Sequence, residues 1–531
     1  MNDYFWIVLF GGLFSFIASM GIGANDVANS FATSIGAKSL TIKQAVILAC
    51  IFETLGAILM GSHVSETIRK GIADYKCFEN DPYSLAYGNM WVCFSVASWL
   101  FTASYFELPV STTHSCIGGM IGMTIAIKGS DCVIWYKTKD TFPYVGGVSG
   151  MIISWFVSPL LSGIISSCLY YITRLLILRK KYEDKYIYYA FPLLISTTIL
   201  LNSFFIFYKG AKGLGLHKIS LDIILSISFA LAILSGLISL PILPKIYKRI
   251  ENKFNNNDLI GNDNHNDNDN DNNVDIQVIN NNDLIDNDNH NDNNNDNNVE
   301  IQVINNNIEN NEITIFDKKN IFKNIDINKF DKIEDDQIEI VNNIHNNAEK
   351  YDDRTEEFFK SLQIFSAITA AFSHGANDVA NAIGPFAAIL TIYIEGDVRK
   401  NSVMDNNAYW ILSIGGVGIS IGLLLYGYRI MRAIGIKLCK ITPSRGTIIE
   451  LSAALVIIFG SRLKIPLSTT HCQVGSICGV GLLDSNFKNN IVGINTKILY
   501  KTMFGWIFTC IFVGFVTGIL TAQGIYAPSI N

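Results

Sequence analysis

Gly23-Ala24-Asn25-Asp26-Val27-Ala28-Asn29 returns letter for letter as Gly375-Ala376-Asn377-Asp378-Val379-Ala380-Asn381. Each copy sets an ionisable Asp between two Asn inside a long apolar stretch. A charge in such a place costs at least ~2.5 kcal/mol, so an acid kept there is read as functional. A second pair follows in the same order, Pro109-Val110-Ser111-Thr112-Thr113-His114 and Pro466-Leu467-Ser468-Thr469-Thr470-His471. Two motifs in matched order predict an internally duplicated membrane protein with one site at the junction of its halves.

The composition agrees. Of 531 residues, 49% are hydrophobic and only 16% charged, which does not describe a soluble protein of this size. Nearly half of the charged residues lie between Lys245 and Lys360, so the remainder can supply many spans of ~20 residues. The net charge of -6 comes mainly from the central Asn/Asp-rich segment and implies no acidic, basic or nucleic-acid partner. The ten Cys are scattered singly, without zinc or redox spacing. The apolar run from Tyr4 has no basic leader and no cleavage site, and is read as a retained first membrane helix.

The expected fold class is an all-α polytopic membrane protein with about twelve transmembrane or re-entrant segments in two inverted repeats. The segments beginning at Pro109 and Pro466 are short and rich in Gly, Ser and Thr, which suits re-entrant pieces. The chain divides into residues 1–144, a first repeat of the transport core; 145–250, connecting helices; 251–358, a disordered Asn/Asp-rich tether; and 359–531, the second repeat. Basic clusters at Arg174 to Lys185, Lys245 to Lys253 and Arg429 to Arg445 can all be cytoplasmic, which puts both termini outside and the long loop inside. Cys77 and Cys132 then both face an oxidising compartment, where they either pair or stay free thiols.

Asp26 and Asp378, with Asn25, Asn29, Asn377 and Asn381, offer hard oxygen ligands for a small cation, with sodium expected at Asp26, Asn29, Asp378 and Asn381. The Gly-Ala-Asn-Asp run is expected to break its helix and expose carbonyls to the same ion. The competing reading is an Asn/Asp ladder that holds helices together. Ser111, Thr112, Thr113, Ser468, Thr469 and Thr470 follow prolines suited to a first helical turn. Their hydroxyls and free N–H groups suit a phosphate-like oxyanion, against the alternative of simple helix capping. His114 and His471 are read as hydrogen-bonded supports. Glu53 and Glu450, lodged in apolar spans, are candidates for coupling as proton carriers or cation ligands, or else are protonated structural groups.

The motifs hold two Asp, and no Arg or Lys. An anion would be repelled unless a cation arrived with it, which predicts symport with Na+ or H+. A passive anion channel would carry a basic ring, and a receptor would have no use for the repeated Asp. No Ser sits with a base and an orienting acid at recognisable spacing, so an enzyme is not expected, and no cofactor is implied beyond the co-transported ion.

Both motif pairs and Val64-Ser65-Glu66-Thr67-Ile68-Arg69-Lys70-Gly71 resemble the duplicated signature of the inorganic phosphate transporter (PiT) family of sodium- or proton-coupled symporters. The resemblance implies an inverted-repeat fold with outside termini in the plasma membrane, phosphate and sodium as transported partners in a lipid bilayer, and leaves a homodimer open. Asp26, Asn29, Asp378, Asn381, the two Ser-Thr-Thr triplets, Glu53 and Glu450 match the family's functional positions. The Asn/Asp-rich loop departs from the pattern and is similar to loops of certain protozoan parasites.

Overall fold

Long apolar stretches become helices, and several helices of this chain start where a capping residue stands. In a computed structural model, residues 4–138, 140, 144–180, 183–209, 219–262, 335–398, 409–462, 467–485 and 492–527 are described, with a few side chains, that of Asn29 among them, outside the description. The helices are α1 (Phe5–Ile22), α2 (Ala28–Gly36), α3 (Ile42–Gly71), α4 (Pro82–Tyr105), α5 (Thr112–Lys128), α6 (Gly147–Thr173), α7 (Glu183–Lys209) and α8 (Leu221–Asn262). After them come α9 (Asp335–Asn347), α10 (Asp353–Glu395), α11 (Tyr409–Tyr426), α12 (Tyr428–Gly435), α13 (Pro443–Arg462), α14 (Thr469–Leu483) and α15 (Thr496–Tyr526). Thr41 and Gln44 form a capping box at α3, and Asp81 caps α4 with Pro82 in its first turn. Met1–Phe254 with Asn328–Asn531 form one compact unit and Asn255–Ile327 a second; the site lies in the first.

Among the described residues, seven helices are long and apolar enough to cross a membrane. Their outer faces carry exposed Leu9, Phe10, Phe504, Ile511 and Phe515, while Ser15, Ser162 and Ser166 are buried. Those serines bond backbone carbonyls of other helices: Ser15 to Ala382 at 2.9 Å, Ser162 to Cys472 at 2.7 Å and Ser166 to Ser476 at 2.9 Å. Apolar outside with polar links inside is how helices associate where lipid removes the hydrophobic drive between them.

Helix α5 packs on α15, and α14 packs on α6. The two contacts have the same register. A Cβ on Gly118 would lie 2.3 Å from the Cys510 carbonyl oxygen, and one on Gly475 2.3 Å from that of Pro159, so in each pair backbones touch where only glycine fits. Helix α10 lies against α1, α3, α4 and α13 and so reaches both halves of the sequence.

One end of the bundle carries Tyr4 and Tyr526, the first described residue and the end of the last helix. Tyr4 stacks on Tyr83 with ring centroids 3.9 Å apart, Tyr526 donates to the Ala126 carbonyl at 3.1 Å, and Cys77 is disulfide-bonded to Cys132. Of the two outcomes open for those cysteines, the structure has the pair. The other end carries basic side chains. Lys437 pairs with Glu107 at 3.0 Å, and Arg445 with Asp484 at 2.7 Å.

Ordered structure reaches further into residues 251–358 than their composition suggests. Helix α8 continues to Asn262, and α9 begins at Asp335. Glu349 pairs with Arg174 and Arg179, and the Tyr351 hydroxyl meets that of Tyr170 at 2.8 Å. Val341 and Ile344 of α9 are buried beside these charge contacts. Residues 263–334, the greater part of the expected tether, lie outside the described residues.

Candidate functional site

The first Gly-Ala-Asn-Asp motif forms a single π-helical turn, Gly23–Val27, between α1 and α2, whereas the second lies inside α10, which continues unbroken. The expected helix break is absent at both. The glycines serve close packing instead: a Cβ on Gly23 would stand 1.8 Å from the Ile419 carbonyl oxygen, and one on Gly375 2.1 Å from that of Glu53. The motif backbone is thereby pressed against α11 and α3. A π turn redirects side chains without abandoning helical hydrogen bonding, a device common at functional positions.

Asp26 and Asp378 are buried and meet the Ser-Thr-Thr triplets. Thr112 donates to Asp26 at 2.7 Å, and Thr470 donates to the other oxygen of the same carboxylate. Thr469 donates to Asp378 at 2.9 Å and lies 3.4 Å from Asp26. Asn381 donates to Asp378 at 3.2 Å and reaches the hydroxyls of Thr112 and Thr113 at 3.0 and 3.3 Å. Asn377 donates to its neighbour Asp378 at 3.1 Å. Both motifs and both triplets therefore form one hydrogen-bonded cluster.

The expected residues do not all play one part. Ser111 and Ser468 are N-caps, accepting from the backbone N–H of His114 and His471 at 3.3 Å each. Asn25 clamps the α4–α5 connection: its amide oxygen accepts from Val110 N at 2.9 Å, and its amide nitrogen donates to the Leu108 carbonyl at 2.9 Å. The same amide nitrogen also donates to the Ser104 hydroxyl at 3.1 Å, so the side chain is fully engaged by its surroundings. Asn29's side chain lies outside the described residues.

The two glutamates differ as well. Glu450 accepts hydroxyl hydrogens from Thr33 at 2.5 Å, Ser34 at 3.0 Å and Ser366. Glu53 instead meets His374 Nδ1 at 3.0 Å. The other nitrogen of that imidazole lies 2.9 Å from Asp378 and 3.8 Å from Asp26. One ligand atom each from Asp26, His374 and Asp378 fall within 4.8 Å of one another. A single imidazole stands among three carboxylates, so even when protonated it leaves the cluster short of positive charge. A small pocket runs from this cluster to Glu450, lined by Ser30, Thr469 and Gln473 among others.

Residues 22–517 match the phosphate transporter family (PHO4). The chain belongs to that family. It is similar to the phosphate-repressible phosphate permease pho-4 of Neurospora crassa, 29% identical over 99% of each chain. It is likewise 29% identical to the sodium-dependent phosphate transporter of Plasmodium falciparum, over 99% of this chain and 98% of that one. A solved structure described as the sodium-dependent phosphate transporter superposes with a TM-score of 0.69 at 27% identity, covering 98% of this chain and all of its own.

In this phosphate transporter family member, sequence reasoning passed over His374. The signal was one letter: the residue before the second motif is His374 where the first copy has Ile22. The hydroxyls around Glu450 gave no comparable signal, because single Ser and Thr in apolar helices usually bond back to their own helix.

Proposed function

We propose that this chain is a sodium-coupled phosphate symporter working by alternating access. The observation that carries the reading is that threonine hydroxyls of both triplets donate to both motif aspartates. A hydroxyl has one hydrogen to give. While Thr112, Thr469 and Thr470 give theirs to Asp26 and Asp378, they have none for an anion. A sodium ion on those carboxylates takes the lone pairs and neutralises the charge, and the hydroxyls turn to phosphate. The cation is thus needed before the anion, which is coupling written in hydrogen bonds.

Asn381 Oδ1 and Glu53 Oε1 are buried and have no hydrogen-bond partner among the described residues. They add oxygen to the cation site at Asp26, Asp378 and Asn381, with Asn29 retained from the motif. Phosphate sits on Thr112, Thr113, Thr469 and Thr470 at the N-terminal ends of α5 and α14, with Ser111 and Ser468 holding those ends. The names of the relatives support sodium as the driving ion. Glu53 and Glu450 serve coupling, the first through His374.

The matched registers of α5 on α15 and of α14 on α6 support two inverted repeats, and about twelve segments. The disulfide end, with both termini, is read as outside the plasma membrane, and the basic end, with the long loop, as cytoplasmic. Proton coupling is the second reading, favoured by His374 among three carboxylates. Labelled phosphate uptake into proteoliposomes, under a sodium gradient alone and then a proton gradient alone, separates the two. Uptake indifferent to both gradients would remove symport altogether.

A further inference from the structure

The residue after each triplet has a task that phosphate binding does not explain. His114 and His471 are buried, with ring centroids 4.5 Å apart. His114 stacks on Trp155 of α6 at 3.7 Å, and its Nδ1 meets the carbonyl of Trp506 of α15 at 3.2 Å. His471 does the reverse, stacking on Trp506 at 3.7 Å while its Nδ1 meets the Trp155 carbonyl at 3.0 Å. A carbonyl can only accept, so each Nδ1 carries the hydrogen. Each Nε2 is buried without a hydrogen-bond partner among the described residues. Phe would stack as well without burying an unsatisfied nitrogen, so the stack alone does not account for His at both positions. What His adds is the donated bond to the far helix. Trp506 also donates from its indole to the Pro109 carbonyl at 3.2 Å, and so holds the first triplet while stacking on the second.

The geometry points to His114 and His471 as a pair of positioning residues that join the two Ser-Thr-Thr triplets into one unit, so that neither half of the anion site reorients without the other. Each triplet is tied to both crossing helices, to one by a ring and to the other by a hydrogen bond, and the ties are crossed. Four rings from four helices therefore move together. The inference rests on the reading of the triplets as the phosphate site.

The test replaces each His by Asn, whose amide nitrogen stands where Nδ1 does, and by Gln, whose amide nitrogen stands nearer Nε2 and is closer to His in volume. Wild-type full-length protein in proteoliposomes gives the reference for sodium-driven phosphate uptake per folded molecule. Absence of that uptake in wild type overturns the functional reading itself and is distinguishable from any result on the variants. The expected result is that Gln at either position raises the phosphate concentration for half-maximal uptake about tenfold, while Asn raises it by less than about threefold. The double Gln variant should be no worse than either single by more than about twofold, because one unit has already been broken. Equal behaviour of Asn and Gln, or a double effect equal to the product of the singles, would overturn the proposal.

Discussion

Thr470, in the second Ser-Thr-Thr triplet, donates its hydroxyl to Asp26, in the first Gly-Ala-Asn-Asp motif. The bond spans 444 residues of sequence and ties the second triplet to the first motif. On the proposed reading, the hydroxyl is withheld from phosphate until a cation occupies the carboxylate.

Thr469 serves both aspartates, so Thr469→Val should raise the phosphate concentration for half-maximal uptake about tenfold. Ser111→Ala should behave differently, because Ser111 is a cap. It should cost about 1 kcal/mol of stability in thermal unfolding and change phosphate dependence less. Uptake curves and melting curves of the two purified variants check the contrast.

The parts of this site legible in the sequence were those that are costly in a membrane. Asp26 and Asp378 stood out because charge in an apolar span demands a reason, and the triplets because they were duplicated in matched order. The division of labour within each motif was not legible. Which hydroxyl accepts the capping bond depends on where the helix begins, and Ser111 and Ser468 begin theirs. Asn25 and Asn377 are the same letter in the same motif, yet one clamps a loop and the other donates to its neighbour. The expected helix break failed because glycine permits close backbone approach as readily as it permits a break.

Gly23 leaves no room for a side chain beside Ile419. Gly23→Ala should cost about 3 kcal/mol or more, since backbone rather than a flexible side chain must yield. The yield of folded protein and its melting temperature report this, and Gly129→Ala, with nothing within 4 Å but a φ of +86°, is a useful contrast in which strain acts without crowding.

Cys77 and Cys132 close a loop of sequence separation 55. Both thiols should resist alkylation in unreduced protein and become alkylatable after reduction. The Cys77→Ser, Cys132→Ser double variant should be less stable by about 2–4 kcal/mol. Peptide mapping by mass spectrometry and thermal unfolding measure the two effects.

Arg445 is fully buried and donates to Asp484 at 2.7 Å, to the Glu349 carbonyl at 2.7 Å and to Thr442 at 3.3 Å. Arg445→Met leaves Asp484 with only the Tyr170 hydroxyl at 3.0 Å and the Arg174 guanidinium at 3.9 Å, and should cost about 3 kcal/mol in unfolding measurements. Arg445→Lys, which keeps the charge but not the planar fork, should recover only part of that loss.

Asp26 and Asp378 are proposed as the cation ligands whose neutralisation admits phosphate. Asp→Asn keeps the size and most of the hydrogen bonding and removes the charge. Phosphate uptake measured against sodium concentration, per folded molecule, for Asp26→Asn and Asp378→Asn is the direct test. The expected result is a large rise in the sodium concentration for half-maximal uptake, or loss of coupled uptake, in both variants. Wild-type sodium dependence and rate in both would contradict the account.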